Sequence, residues 1–302
     1  MSAPGVIIFG PTGSVASQTA LTAASLNAPI TLAMRDPSKP IPGLTPSQEK
    51  SGAYTRLTAD LTQPPSVLAA VISSNAKRAF IYAARGNTDH MKATIEALKE
   101  GGVEYVVFLS SFTVRDPPSS IPKEELIGYH HAQIEVNLSA IFGKDGYCAI
   151  RAGGFVTNAL AWKDGILEGN LKLLGKDFRM DCITPNDMGA VAGNILVKGA
   201  AGVNAVYLYG PQNIPCGEVA ERIGKVLGKD VSVESQSPEE AKAEMIQHGY
   251  PEQMAEYMVK ARSGSELVRP FMEEGVQNVE RYSGRKAMGL EEWVEGNRGL
   301  FV

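Results

Sequence analysis

Short apolar, β-branched runs recur through the first half of the chain, at residues 6–9, 30–34, 54–59, 78–83, 105–109 and 147–150, separated by longer stretches of mixed polarity. Runs without polar alternation suit strands buried on both faces, and the amphipathic stretches suit crossover helices, so the rhythm predicts successive βαβ units. Residues 14–26, 64–74, 88–100 and 123–142 read as those helices. Pro64 and Pro65 suit a first helical turn, and Gly101-Gly102 suits a stop. Beyond residue 155 the pattern turns to short strands at 180–184, 205–209 and 231–234, with a helix-rich tail from Pro238. The Pro-rich stretch 116–122 follows a strand end, where a mobile loop would border a ligand.

The expectation is an α/β fold, a doubly wound parallel Rossmann sheet with a smaller C-terminal α/β substrate lobe. Residues 1–155 would form the nucleotide-binding domain and 156–302 the smaller lobe, some of whose strands and helices return to the first. The first predicted strand runs into Gly10-Pro11-Thr12-Gly13-Ser14-Val15-Ala16, a G-x-x-G-x-x-A turn that opens a helix. Gly10 permits the tight turn, Gly13 lets backbone approach a diphosphate, and Ala16 allows close helix-on-strand packing. Thr12, Ser14 and Val15 share that cradle. The second strand ends at Arg35, whose guanidinium can fork onto a 2′-phosphate, which favours NADP(H) over NAD(H); Asp36 beside it argues the other way. Asp60-Leu61 would meet adenine, and Ala83-Ala84-Arg85 would line the cofactor path.

Composition narrows the function. A chain of 302 residues with 44% hydrophobic and 21% charged content supports a sizeable core. A net charge of −4 without a basic stripe makes nucleic acid an unsuitable ligand. The start of the chain has neither a basic leader nor a long apolar run, so a cytoplasmic location and no membrane partner are expected. Cys148, Cys182 and Cys216 form no C-x-x-C pair and read as free thiols. Asn137-Leu138-Ser139 matches a glycosylation acceptor inside a predicted helix and carries no weight.

Several segments in order resemble the NmrA-like branch of the extended short-chain dehydrogenase/reductases. The opening resembles that family's G-A-T-G-x-x-G turn, with Pro11 and Ala16 as substitutions. Ala59-Asp60-Leu61-Thr62 resembles its G-D-L-x motif, residues 102–111 its fifth strand, and residues 150–158 its L-R-P-G-x-F-x-x-N segment. Asp187-Met188-Gly189 and the tail from Tyr282 to Val294 are similar to its later segments. The resemblance implies a ligand cleft at the carboxyl ends of the strands, between a Rossmann lobe and a small lobe. It leaves the chemistry open, since members include reductases of phenolic ethers and quinones, tailoring enzymes of natural-product pathways and non-catalytic redox sensors.

Most short-chain dehydrogenases carry a Tyr proton donor and a Lys four residues later, and NmrA-like proteins often keep only the Lys, in a K-A-x-[VI]-E context. The matching stretch here is His131-Ala132-Gln133-Ile134-Glu135, with Ile127 and Gly128 one turn earlier, so the dyad is absent. His131, at an ordinary imidazole pKa, would exchange a proton and bond the nicotinamide ribose, or else only cap or pack. Tyr129 is a weaker proton donor, on another side of the helix. Ser110 and Ser111 would orient cofactor or substrate oxygens, or else satisfy a strand end. Phe112, Thr113, His130, Phe155, Asn158 and Trp162 would form a partly aromatic substrate wall, with Phe155 also touching cofactor; the same residues would serve as core. His130 and His131 point about 100° apart, so they form no metal pair, and no metal site is expected.

These residues predict an NADPH-dependent reductase of a small hydrophobic or aromatic molecule, acting on a C=N or conjugated C=C bond, as a monomer or homodimer. Two other readings stand beside it: a non-catalytic NADP(H) sensor with a protein partner, and a redox-neutral isomerase or cyclase with bound NADP(H).

Overall fold

The structure, a computed structural model, describes residues 3–50, 53–264 and 267–302. Its strands are β1 (Val6–Phe9), β2 (Ile30–Met34), β3 (Tyr54–Thr58), β4 (Arg78–Tyr82), β5 (Tyr105–Ser111), β6 (Tyr147–Ala152), β7 (Asn170–Leu173), β8 (Arg179–Met180), β9 (Ala205–Leu208), β10 (Ile214–Pro215) and β11 (Ser232–Ser235). Its α-helices are α1 (Ser14–Ser25), α2 (Pro46–Glu49), α3 (Pro64–Ser74), α4 (Lys92–Glu100), α5 (Leu126–Phe142), α6 (Lys163–Glu168), α7 (Pro185–Lys198), α8 (Cys216–Leu227), α9 (Pro238–Gln247), α10 (Glu252–Arg262), α11 (Met272–Ser283) and α12 (Leu290–Gly296).

Seven strands pair in parallel in the order β3-β2-β1-β4-β5-β6-β9, the doubly wound Rossmann arrangement. All four side chains of β1 and all five of β2 are buried, which is why their sequences carry no polar alternation. The reversal of strand order at β1 and β4 opens a crevice at their carboxyl ends, and the glycine turn sits there.

The chain divides into two compact units. The first comprises Met1–Ala152, Pro185–Leu208 and Glu273–Lys286; the second comprises Gly153–Thr184, Tyr209–Met272 and Ala287–Val302. The run at 205–209, which the pattern suggested for the smaller lobe, is β9 at the edge of the main sheet, with Ala205 opposite Ala149. Of the run at 180–184 only Met180 is strand, paired with β10; Cys182 takes a left-handed backbone, φ 56°, and the chain then enters α7. In the first unit α7 crosses α1 closely through Gly189 and Gly193. A Cβ on Gly189 would stand 2.3 Å from Gln18 Cβ, and one on Gly193 2.6 Å from Thr22 Cβ. Asp187 of α7, fully buried, pairs with Arg285 at 3.1 Å, so two separated family-like segments meet.

The second unit has its own core, in which Trp162 packs with Ile166, Val219, Ile223 and Trp293. There Asp181 receives the Arg269 Nε proton at 2.9 Å and the Gly154 and Gly210 amides at 2.8 and 3.2 Å. A capping box at Ser237 and Glu240, with Pro238 at the first helical position, starts α9 where the sequence placed the helical tail. Cys148, Cys182 and Cys216 are buried free thiols. Among the described residues, no helix is long and apolar enough to cross a membrane.

Candidate active site

A cleft of about 260 Å³ opens in the first unit, at the carboxyl ends of β1, β2, β3 and β4. It gathers Gly10, Thr12, Arg35, Asp60, Leu61, Ala84 and Arg85, seven residues singled out in the sequence for cofactor. It also contains Tyr82, Met34 and Thr62, which the sequence reading missed. Tyr82 carried a signal in retrospect, because it is a polar aromatic at the last position of a buried strand and remains 37% exposed.

Gly10 is required twice over. Its φ is +68°, and a Cβ there would lie 2.6 Å from Tyr82 Cε1, so the Tyr82 ring rests on the glycine itself. Gly13 is different. It has φ −82° and ψ 150°, and a Cβ would meet only the Gly10 carbonyl at 3.4 Å, so neither backbone nor packing demands glycine there. A glycine at that position leaves room above the first turn of α1, which has no side-chain cap and no acidic residue. Val15 is buried and Ser14 exposed, and both amides belong to this uncapped turn. An uncapped helix N-terminus of twelve residues fits a diphosphate.

Arg35 and Arg85 are exposed on the cleft, and among the described residues neither has an ion-pair partner. The Asp36 carboxylate is engaged elsewhere, accepting from the Ser38 amide at 3.0 Å and the Ser38 hydroxyl at 2.6 Å. Those bonds hold its pKa below the ordinary carboxylate value. Asp60 likewise turns one oxygen to the Thr62 amide and hydroxyl, both at 2.9 Å. The cleft thus keeps two free guanidinium groups, suited to a phosphate.

The second part of the site lies along α5 and the end of β5. His131 Nδ1 is 2.8 Å from the Ile127 carbonyl oxygen. A carbonyl only accepts, so Nδ1 carries the proton and Nε2 presents a lone pair. Burial pushes the imidazole down to about 4, although the ring keeps a partly accessible edge. The ordinary pKa assumed from sequence is therefore corrected, because the ring is enclosed by protein and tilts against Phe108 at 6.1 Å. At neutral pH His131 is a hydrogen-bond acceptor, suited to a ribose hydroxyl.

Four residues beyond His131, Glu135 is buried with Arg151. Ser110 Oγ donates to Glu135 Oε1 at 2.6 Å, and Arg151 donates through Nε and Nη2 at 3.2 and 2.8 Å. Arg151 also reaches Tyr207 Oη at 3.0 Å and Asp116 at 2.8 Å, and Tyr207 donates to the Val114 carbonyl at 2.9 Å. This network fixes α5 against β5 and β6 and anchors the base of the 116–122 stretch. It also commits the Ser110 proton to Glu135. Ser111 and Thr113 share a bond of 2.8 Å, and Tyr129 packs on Val114, Ile121 and Ala132.

Ala83 follows β4 but is not among the residues that line the cleft, and Phe112 is buried with its amide bonded to the Ala152 carbonyl at 3.0 Å. Phe155, Asn158 and Trp162 belong to the second unit, where Phe155 bridges to Ile183, Asn158 is exposed and Trp162 is core. His130 does meet another histidine, but not His131 as its nearest nitrogen: its Nδ1 lies 3.3 Å from Nδ1 of His90, a residue no sequence pattern picked out. Among the described residues no group of three or more His, Cys, Asp or Glu could hold a metal ion.

Comparison with known proteins places this geometry in a lineage. The "Nitrogen metabolite regulation-like protein bik4" of Gibberella fujikuroi is 34% identical over 313 residues, covering 96% of this chain and 95% of that protein. The "NAD(P)H azoreductase" of Xenophilus azovorans is 23% identical, covering 98% of this chain and 99% of its own. The crystal structure of the NADPH-dependent quinone oxidoreductase QOR2 of Escherichia coli with NADPH superposes with a TM-score of 0.74, at 19% identity, over 96% of this chain and 99% of that one. Residues 3–294 match the sequence model of the NmrA-like family, and with the 34% identical relative aligned over nearly its whole length, the chain belongs to that family.

Proposed function

We propose that the protein is an NADP(H)-dependent oxidoreductase that reduces a small hydrophobic or aromatic molecule at a C=N, conjugated C=C or quinone-like centre. The observation that carries this reading is the pairing of an uncapped α1 N-terminus with a cleft holding two unpaired arginines, Arg35 and Arg85. The amides of Gly13, Ser14 and Val15 would hold the diphosphate, with Gly10 and Thr12 beside it. Arg35 would take the 2′-phosphate, Asp60 and Leu61 the adenosine, and Ala83, Ala84 and Arg85 the path toward nicotinamide. His131 Nε2 and Ser110 would face the nicotinamide ribose, with Ser111 and Thr113 toward the substrate. When bound, the cofactor supplies a hydride. The azoreductase and quinone oxidoreductase relatives are reductases by name, which supports the same chemistry here.

The test is turnover with labelled cofactor. NADPH deuterated at C4 is offered with a panel of quinones, aromatic enones and cyclic iminium ions, and mass spectrometry should find deuterium in the product. Product without deuterium would favour a redox-neutral enzyme.

A second reading has two observations in its favour. Ile127 and Gly128 replace the usual proton donor, and the relative at 34% identity is named for nitrogen metabolite regulation. A sensor must distinguish NADPH from NADP+, because a ligand pair bound equally shifts no equilibrium. An absence of product across the panel, together with strongly unequal affinities for the two forms, would select the sensor.

A further inference from the structure

Three of the chain's four histidines meet at one place in the first unit. His90 and His130 face each other through Nδ1 atoms 3.3 Å apart, and the His130 and His131 rings lie 5.9 Å apart. An N–H on one ring must meet a lone pair on the other. Such a pair takes up one proton at an outward Nε2 and keeps its internal bond, now charge-assisted; a second proton would set two N–H groups against each other.

The chain spends strain to build this pair. His90 and Met91 both have left-handed backbones, φ 52° and 63°, a conformation that costs energy for residues with side chains. The helix expected from residue 88 accordingly begins only at Lys92. Asn137 of α5 holds the strained turn by donating to the Asp89 and His90 carbonyls at 3.2 and 3.0 Å. The Asp89 carboxylate accepts from the Ala93 amide at 2.9 Å, and the Tyr129 ring stands edge-on to His90 at 5.5 Å. The groups around the pair are Asp89 and Arg85 on the loop, and Tyr129 and His131 on α5.

Several neighbouring protons are already committed. The His131 proton is tied to Ile127, the Ser110 proton to Glu135, Ser111 and Thr113 bond one another, and Ile127 and Gly128 stand where a Tyr is usual. Resting on the reductase reading above, we propose that the His90–His130 pair is the proton-delivering acid of this enzyme, in place of the missing tyrosine. A quinone that accepts a hydride becomes a hydroquinone monoanion. The anion's oxygen then takes the proton from the outward imidazolium nitrogen of the pair, which returns to neutral and is recharged from water. The substrates that need the pair are those whose reduction creates an anion.

The experiment uses the full chain with NADPH and two acceptors, a quinone, which needs hydride and proton, and a preformed cyclic iminium cation, which is neutral after hydride alone. His130→Gln and His90→Gln should each lower kcat for the quinone about tenfold or more and lower the iminium rate by a much smaller factor. In the wild type the quinone rate should fall as pH rises through the pair's titration, and either substitution should flatten that limb. Imidazole 15N NMR of the cofactor-free protein should show His90 and His130 titrating together, with His130 titrating as an isolated ring in His90→Gln. Equal losses on both acceptors, an unchanged pH profile, or independent titrations would overturn the proposal. A wild type that reduces neither acceptor would overturn the reductase reading and this one with it; wild-type turnover matched by both variants would overturn the pair alone.

Discussion

Glu135 and Arg151 form a two-point ion pair at 3.2 and 2.8 Å in which both side chains are 1% exposed. Burial pushes the Glu135 carboxyl above its ordinary range, and the bonds from Arg151 and Ser110 pull it back. Removing one partner leaves an uncompensated charge in the interior, so Glu135→Gln should cost about 3 kcal/mol or more. Replacing both residues by methionine should cost less than that single change. Urea denaturation of the wild type, Glu135→Gln and the double methionine variant reads both values. A loss below about 1 kcal/mol for Glu135→Gln would mean that Arg151 is satisfied by Asp116 and Tyr207 alone.

His131 should make the fold acid-sensitive. Its pKa is about 4 in the folded chain and near 6.5 when unfolded, so the unfolded state binds more protons between those values. Stability from this group is intact above pH 6.5, falls as pH drops toward 4, and is then lost by an amount on the order of 3 kcal/mol. His131→Gln should remove that slope. Stability curves of the two proteins from pH 4 to 7 that stay parallel would contradict the assignment.

Gly10 should resist substitution for two separable reasons. In Gly10→Ala the left-handed backbone costs about 1 kcal/mol, and the clash with Tyr82 adds to it. In a Tyr82→Ala background only the backbone cost should remain. Thermal melts would show a smaller penalty for the double variant relative to Tyr82→Ala; equal penalties would mean that the ring swings away freely.

Arg35 should set cofactor choice. With Asp36 held by Ser38, NADPH should bind about tenfold or more tightly than NADH, and Arg35→Ala should remove about 1.5–3 kcal/mol from NADPH binding only. Calorimetry measures it. An equal loss for both nucleotides would refute the 2′-phosphate contact.

The parallel sheet was legible in the chain because strands such as β1 and β2, buried on both faces, must be written as unbroken apolar runs. The glycine turn and the position of Arg35 on the cleft were legible for a related reason: both depend on backbone geometry within a few residues of a strand end. Tertiary structure alone decided what depends on distant partners. The run at 205–209 joined the main sheet because β6 offered it an edge. Gly10 owes part of its necessity to Tyr82, seventy-two positions away, and His131 owes its low pKa to the protein around it. His90 gave no local signal, since its meaning lies in a strained turn held by Asn137 and in a ring forty residues further on. Periodicity records which face of an element is buried, whereas protonation and hydrogen-bond pairing depend on which side chains the fold brings within about 3 Å of each other.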